Sequence, residues 1–511
     1  MSSVPKTALR QRDREPPERA GDTAAAAVRF VLDGRVVTVE APSPTTTVLE
    51  YLREELGRVG TKEGCAEGDC GACTVVLGRL VGDGNAERVE YRAINSCIRF
   101  LPTIDGCELV TVESLRERDG TLHPVQQALV EMHGSQCGFC TPGFVMSLFA
   151  LYLRGAHAAR GDVLDAISGN LCRCTGYRPI VAAGMSMDGY PEPARWSRND
   201  ARSVARRDAL RALRRTRPLR LPGFYAPRTV RELADELRRE PDSLLLAGGT
   251  DVALWVTKEL RELPPIVYLG EVEELGRIDV DAERLTIGAA VSLTDAWTAI
   301  VEWYPHLAEL AARFASPPVR NSGTLCGNVA NGSPIGDSMP ALLALDAEVT
   351  LRRGDDVRRL PLSELYLGYR RLALEPGEFV LNVRVPRPPA DLRLGAYKVA
   401  KRWDQDISAV CGVFATIVHG GRIVDARLGF GGMAAIPARA QAAERALRGR
   451  PFDADSFAAA AEALADDFTP LDDLRASSEY RLRVAGNLLR RFHLEHSAAH
   501  RFPVRATEVP P

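Results

Sequence analysis

From Val28 to Val39 apolar residues dominate and Asp33-Gly34 gives a turn signal midway, so the run predicts two short strands joined by a tight turn. Val48, Leu49, Leu52 and Leu56 recur at helical spacing and predict a helix over 47–56. A Gly- and Cys-rich loop follows, then an apolar strand at 73–80 and another at 109–112. Together these elements make a small α+β unit over 28–113. From 114 to 190 the period changes: Val125, Ala128, Leu129 and Met132 share one helical face, and Phe144, Val145, Leu148, Leu151 and Tyr152 share another. A helical unit is expected there.

Residues 191–217 lose this periodicity and fill with Arg, Pro and Ser, including Arg206-Arg207 and Arg214-Arg215. The stretch reads as a solvated linker, with a nucleic-acid arm as the sharper alternative. Beyond it, strand-like runs at 243–247, 266–269, 285–287, 348–351 and 379–385 alternate with helix-like ones and predict a domain over 218–390. Strands at 411–418 and 423–429, followed by alanine-rich helices, predict a trailing α+β domain over 391–497. The ends are expected to be a disordered extension, 1–27, and a tail, 498–511. The fold class expected is multidomain α+β.

The 511 residues, 45% hydrophobic and 26% charged, suffice for several full cores. The 65 basic and 67 acidic residues are interspersed, leaving a net charge of -2 and no basic face for nucleic acid. No apolar run reaches the roughly 18 residues needed to span a bilayer, and the first twenty residues are rich in Arg, Pro and Glu where a secretion signal would be apolar. A cytoplasmic location is expected. In a reducing compartment the eleven cysteines call for a metal or redox cofactor rather than disulfides.

Cys65, Cys70 and Cys73 stand as Cys-x4-Cys-x2-Cys among Gly64, Gly68 and Gly71, with Cys97 and Cys107 further on. This is the plant-type [2Fe-2S] spacing, in which thiolates hold iron while a glycine-rich backbone wraps the cluster and turns N–H groups toward its sulfurs. Zinc is the rival occupant. A second group combines Cys137-Gly138-Phe139-Cys140 with Cys172-Arg173-Cys174, beside Thr141-Pro142-Gly143 and Gly169-Asn170-Leu171 at candidate helix starts. Two short pairs carried by two helices can supply four thiolates, with the helix ends offsetting their negative charge. Taken alone, Cys137 and Cys140 also fit a thioredoxin-like redox pair, although no βαβ pattern surrounds them.

The stretch from Gln136 to Gly143, together with Asn170 to Tyr177, resembles the xanthine dehydrogenase and molybdenum hydroxylase family, and the resemblance runs from about residue 28 to 495. It implies a plant-ferredoxin-like β-grasp domain, a four-helix-bundle [2Fe-2S] domain, an FAD-binding domain of the molybdenum hydroxylase flavoprotein type and a trailing α+β domain. It implies Cys65, Cys70, Cys73 and Cys97 as ligands of one cluster, because Asn95-Ser96-Cys97 matches the ligand position. Cys137, Cys140, Cys172 and Cys174 would hold the other, nearest the molybdenum cofactor, and Gln136 would face the molybdopterin. Cys107, Cys326 and Cys411 are left as buried apolar thiols.

Leu244 to Asp251 is an apolar strand running into Gly248-Gly249, where a backbone without Cβ atoms can approach a pyrophosphate, although a plain turn would look the same. The segment from Phe314 to Asn328, continuing through Ser333 to Asp337, is long, polar and Gly-rich, a composition that a ligand usually organises. By resemblance both segments bind FAD. The residues implied are Leu245, Leu246, Ala247, Gly248, Gly249, Thr250 and Asp251, then Phe314 beside the isoalloxazine, and Thr324, Gly327 and Asn328 on the diphosphate side. Asp337, Val380 and Lys398 complete the set. The segment 398–407 matches a family loop that influences nicotinamide access, and its mixed charge equally suits a solvated turn.

Gly429-Phe430-Gly431-Gly432-Met433-Ala434 mimics a dinucleotide fingerprint, but Pro437 follows and no βαβ unit surrounds it, so it reads as a structural turn. NAD+ is therefore expected on the flavin face. The resemblance as a whole implies the electron-transfer subunit of a xanthine dehydrogenase, in which two [2Fe-2S] clusters feed FAD and FAD reduces NAD+. A molybdopterin-binding large subunit is expected as partner, in a dimer of heterodimers, with no nucleic-acid or membrane partner. Substrate choice would lie on that partner, which leaves an aldehyde or other N-heterocycle hydroxylase as the enzyme alternative and a zinc-binding scaffold as the other.

Overall fold

The computed structural model describes residues 26–82, 84–155, 157–198 and 203–497. The expected tail and almost all of the expected N-terminal extension lie outside these residues. Ala27–Leu32 and Arg35–Glu40 pair antiparallel about Asp33 and Gly34, whose φ values of 53° and 75° give the turn a twist suited to a hairpin. They open a five-stranded mixed sheet. Ala27–Leu32 runs parallel to Glu108–Val110, and Thr74–Val81 lies between that strand and Arg88–Asn95.

The helix expected at 47–56 is shorter and wider than its spacing suggests. One α turn, Val48–Glu50, is capped reciprocally by Thr47 and Glu50 and then opens into a π segment, Tyr51–Glu55. The widening has a local cause: Leu56 N–H reaches back to Tyr51 O, while Arg53 donates to the Val59 and Thr61 carbonyls and draws the cysteine loop against it.

Four helices follow, Pro124–Glu131, Thr141–Tyr152, Arg160–Ile167 and Arg178–Ser186. Phe144, Leu148 and Phe149 of the second are fully buried and share a core with Val76, Val89, Tyr91 and Ala93 on one face of the sheet. The stretch expected to be a solvated linker is partly structured. Val204–Leu213 is a helix with Leu210 and Leu213 buried, Arg206 pairs with Glu108, and Arg215 pairs with Asp105. Its basic residues are there because carboxylates of the first domain receive them.

Leu219–Leu221, Phe224–Ala226, Ile266–Tyr268 and Leu244–Leu246 form a small sheet, the last three parallel, whose Phe224, Leu246 and Tyr268 share a core with Phe30, Ile98 and Phe100. A five-stranded antiparallel sheet follows in the spatial order Ile278–Val280, Arg284–Gly288, Phe379–Pro386, Glu348–Arg353, Asp356–Pro361. The trailing domain stacks Gln441–Leu447, Ala454–Asp467 and Ser478–His496 with an antiparallel sheet whose longest strands are Val410–His419 and Arg422–Gly431. A Cβ on Gly429 would fall 2.1 Å from Pro340 O, so this glycine, within an antiparallel strand, lets the backbone of the helix Ser338–Ala344 approach closely. No helix among the described residues is long and apolar enough to cross a membrane.

Candidate cofactor sites

The loop before Thr74–Val81 carries Cys65, Cys70 and Cys73, and the short turn Ser96–Ile98 brings Cys97 to them. Cys73 and Cys97 are buried with their sulfurs 3.2 Å apart, and the N–H of Cys70 points at Cys65 Sγ from 3.3 Å. Hydrogen bonds from Cys70 and Cys97 hold the Cys65 thiol well below the usual range, and the bonds Cys97 makes to Cys65 and Cys73 push its own thiol above it. Cys107 lies apart from this group, its Sγ donating to Asp105 O at 3.7 Å.

In the second group Cys137 and Cys174 are exposed and Cys140 and Cys172 half-buried. Burial, then a hydrogen bond to Cys172, pushes Cys140 up to about 12, and Cys174 is raised by its bond to Cys137. These thiols thus face each other as Cys140 with Cys172 and Cys137 with Cys174. Among the described residues no group of three or more His, Cys, Asp or Glu is arranged around a single metal-ion position. Four thiols meeting in two pairs fit a two-iron cluster ligated by four cysteines.

The two groups touch. Leu171 N–H donates to Cys70 O at 3.0 Å, and Asn170 Nδ2 donates to Gly71 O at 3.0 Å while Asn170 Oδ1 accepts from Ser147 at 2.6 Å. A Cβ on Gly71, at φ 69°, would fall 2.1 Å from Gly169 O, so only glycine permits this approach.

A cavity of about 560 Å³ opens on the other side of the first group, with Glu67 and Ile98 on its wall. Both glycine-rich segments line it. Leu245, Ala247, Gly248, Gly249, Thr250 and Asp251 come from one, Phe314, Thr324, Gly327 and Asn328 from the other, and Val380 from the adjoining sheet. The two turns press together so closely that a Cβ on Gly248 would lie 2.2 Å from Ser322 O. Thr324 Oγ1 accepts from the N–H of Gly327 at 3.0 Å, while the buried Asn328 Oδ1 has no partner among the described residues, as suits a side chain waiting for a polar ligand. Thr257 Oγ1 and Lys258 Nζ fix this wall to the cysteine loop through the carbonyls of Ala66 and Cys65, at 2.7 and 2.9 Å.

Three expected contacts are placed differently. The Leu246 side chain is buried in the core and does not line the cavity. Asp337 and Lys398 are not on the wall; they form a buried ion pair with each other, and Ser408 Oγ donates to Asp337 at 2.6 Å, so each charge is already satisfied. In the loop that follows, Ile407 reaches the cavity, and the half-exposed Trp403 stacks 4.1 Å from the Arg313 guanidinium. Burial and the Asp165 charge push the Asp404 carboxyl up. Arg320, which sequence reasoning missed, donates to the carbonyls of Ala312, Phe314 and Ala315 at 2.9, 2.9 and 3.0 Å and fixes the Phe314 turn; its only signal was a basic residue inside a glycine-rich run.

Four family models match the chain: a 2Fe-2S iron-sulfur cluster binding domain over 30–100, a [2Fe-2S] binding domain over 111–185, an FAD binding domain in molybdopterin dehydrogenase over 217–388, and a CO dehydrogenase flavoprotein C-terminal domain over 395–496. A solved carbon monoxide dehydrogenase from Hydrogenophaga pseudoflava is 30% identical with a TM-score of 0.50, over 52% of this chain and 94% of that one. The chain belongs to the xanthine dehydrogenase and molybdenum hydroxylase family. This molybdenum hydroxylase chain therefore contains two [2Fe-2S]-binding domains and an FAD-binding domain. Xanthine dehydrogenase of Emericella nidulans is 32% identical over 86% of the chain, and that of Drosophila pseudoobscura pseudoobscura 33% over 76%. The chain spans only about a third of those relatives, 36% and 33% of their lengths.

Proposed function

We propose that this chain is the electron-transfer part of a xanthine dehydrogenase, passing electrons from a molybdenum cofactor on a partner subunit through two [2Fe-2S] clusters to FAD and then NAD+. When bound, the clusters would supply single-electron transfer and the flavin the conversion of two electrons to hydride. Cys137, Cys140, Cys172 and Cys174 would hold one cluster and Cys65, Cys70, Cys73 and Cys97 the other. The turns at Gly248-Gly249 and at Thr324 to Asn328 would hold FAD.

One observation carries this reading: the path through the fold is continuous. It starts at the surface, where Cys137, Cys174 and Phe139 are exposed, crosses from Leu171 to Cys70, and ends where Ile98, next to Cys97, forms the cavity wall. A large molybdopterin-binding subunit would dock at the exposed end, against Gln136, in a dimer of heterodimers. NAD+ would reach the flavin beside the loop at 400–407, in a cytoplasmic setting.

The test is anaerobic isolation of the chain with its native partner, followed by xanthine-dependent NAD+ reduction. NADH formed with urate is the expected result. No turnover with xanthine, but bleaching of flavin and clusters by NADH, would move the substrate to an aldehyde or another N-heterocycle. A colourless, iron-free, zinc-loaded protein would overturn the redox reading altogether.

A further inference from the structure

The face of the first sheet that turns away from the helices is charged. Leu77, Arg79 and Val81 of one strand and Glu90, Arg92 and Ile94 of its neighbour point the same way, with Arg79 opposite Glu90 and Leu77 opposite Arg92. This face does not close on the flavin-binding domain. A crevice of about 490 Å³ remains, with Tyr268, Ile278, Ser292 and Asp295 on its far side.

Three arginines, Arg79, Arg92 and Arg99, meet two carboxylates there. Arg92 takes both, binding Asp295 at 2.8 and 2.6 Å and Glu90 at 2.8 Å. Arg79 and Arg99 are left to share neutral acceptors, Thr103 O at 3.2 and 3.1 Å and the Tyr268 hydroxyl at 3.4 and 3.0 Å. Glu271 stands 3.9 Å from Arg79 but is itself held by Arg228 at 2.6 Å. Arg99 is 7% exposed, pairs with no carboxylate among the described residues, and buries an Nε without a partner. Two guanidiniums sharing neutral oxygens in a sheltered crevice favour an anion strongly, and their planar forks suit phosphoryl oxygens.

We propose that this crevice binds a small phosphate ester the size of a nucleoside monophosphate. Its phosphoryl group sits on Arg79 and Arg99 and its organic body lies against Leu77, Ile94 and Ile278. The site is distinct from the flavin cavity, with which it shares only Ala247 and Thr324 as walls. Because Arg99 follows Cys97 by two residues and Tyr268 belongs to the flavin-binding domain, the ligand bridges the seam between the first cysteine group and the flavin.

Calorimetric titration of the FAD-loaded protein with adenosine monophosphate, and separately with inorganic phosphate, tests this. Saturable binding of the nucleotide without loss of flavin is expected, weakened at least about tenfold by Arg79→Gln, whose side chain is partly exposed, and likewise by Arg99→Gln. No saturable binding of either probe overturns the site, as does nucleotide affinity unchanged in both variants. Release of flavin fluorescence on titration would place the nucleotide in the FAD cavity and also overturn it. Binding of phosphate without the nucleotide would overturn the place given to an organic body.

Discussion

The backbone N–H of Leu171 donates to the carbonyl oxygen of Cys70 at 3.0 Å. Since Cys172 follows Leu171 directly, one peptide unit and one hydrogen bond join the two cysteine groups. Leu171→Pro removes the donor and leaves all eight thiols in place. In stopped-flow reduction by NADH, flavin and first-cluster bleaching should keep their rates while reduction of the second cluster slows. Equal rates for both clusters would show that electrons do not need this contact.

Gly248→Ala should empty the flavin cavity without touching the clusters. The added Cβ would lie 2.2 Å from Ser322 O and 2.5 Å from Gly323 Cα, and backbone cannot swing aside as a side chain can. Overpacking of this kind costs about 1–3 kcal/mol, and here the displaced atoms are the two turns themselves. Purified protein should show normal iron content and a flavin content well below one per chain; full flavin occupancy would remove the turns from the FAD site.

What could be read from the sequence followed from local signals. The Cys-x4-Cys-x2-Cys spacing and the Asp33-Gly34 turn each carry their chemistry within a few residues. Arg88–Asn95 escaped because Arg88, Glu90 and Arg92 give it a charged face, which is understandable only once the crevice opposite is seen. The helix Val204–Leu213 was hidden for a similar reason: its arginines resemble a solvated linker until Glu108 and Glu87 are placed beside it. The pairing of Asp337 with Lys398 is purely tertiary, with no trace in either segment.

That pair supplies a stability prediction. Both side chains are buried, so Lys398→Met leaves the Asp337 carboxylate with only neutral donors, the Ser408 hydroxyl and the Cys411 thiol. Breaking a buried ion pair from one side costs about 3–5 kcal/mol, whereas removing both charges is far milder. Thermal unfolding should show a large loss for Lys398→Met and recovery of most of it in the double variant with Asp337→Asn. A double variant as unstable as the single one would mean that the lysine acts through packing.

His123 gives the helical domain a dependence on pH. The ring is fully buried, with Nδ1 accepting from the N–H of Val125 and Nε2 donating to Trp196 O, both at 3.3 Å. Burial pulls the imidazole down to about 4 from its ordinary 6.5, and protonation would also abolish the acceptor at Nδ1. Between these values the unfolded chain binds the proton and the folded one does not. The contribution of His123 is therefore complete above about pH 6.5, falls as the pH drops toward 4, and is flat below. The gap corresponds to roughly 3 kcal/mol. Urea unfolding at pH 7 and pH 4.5 should show a steeper loss for the native protein than for His123→Gln, which keeps a donor and an acceptor but does not titrate. Equal losses would assign the acid sensitivity to the carboxylates instead.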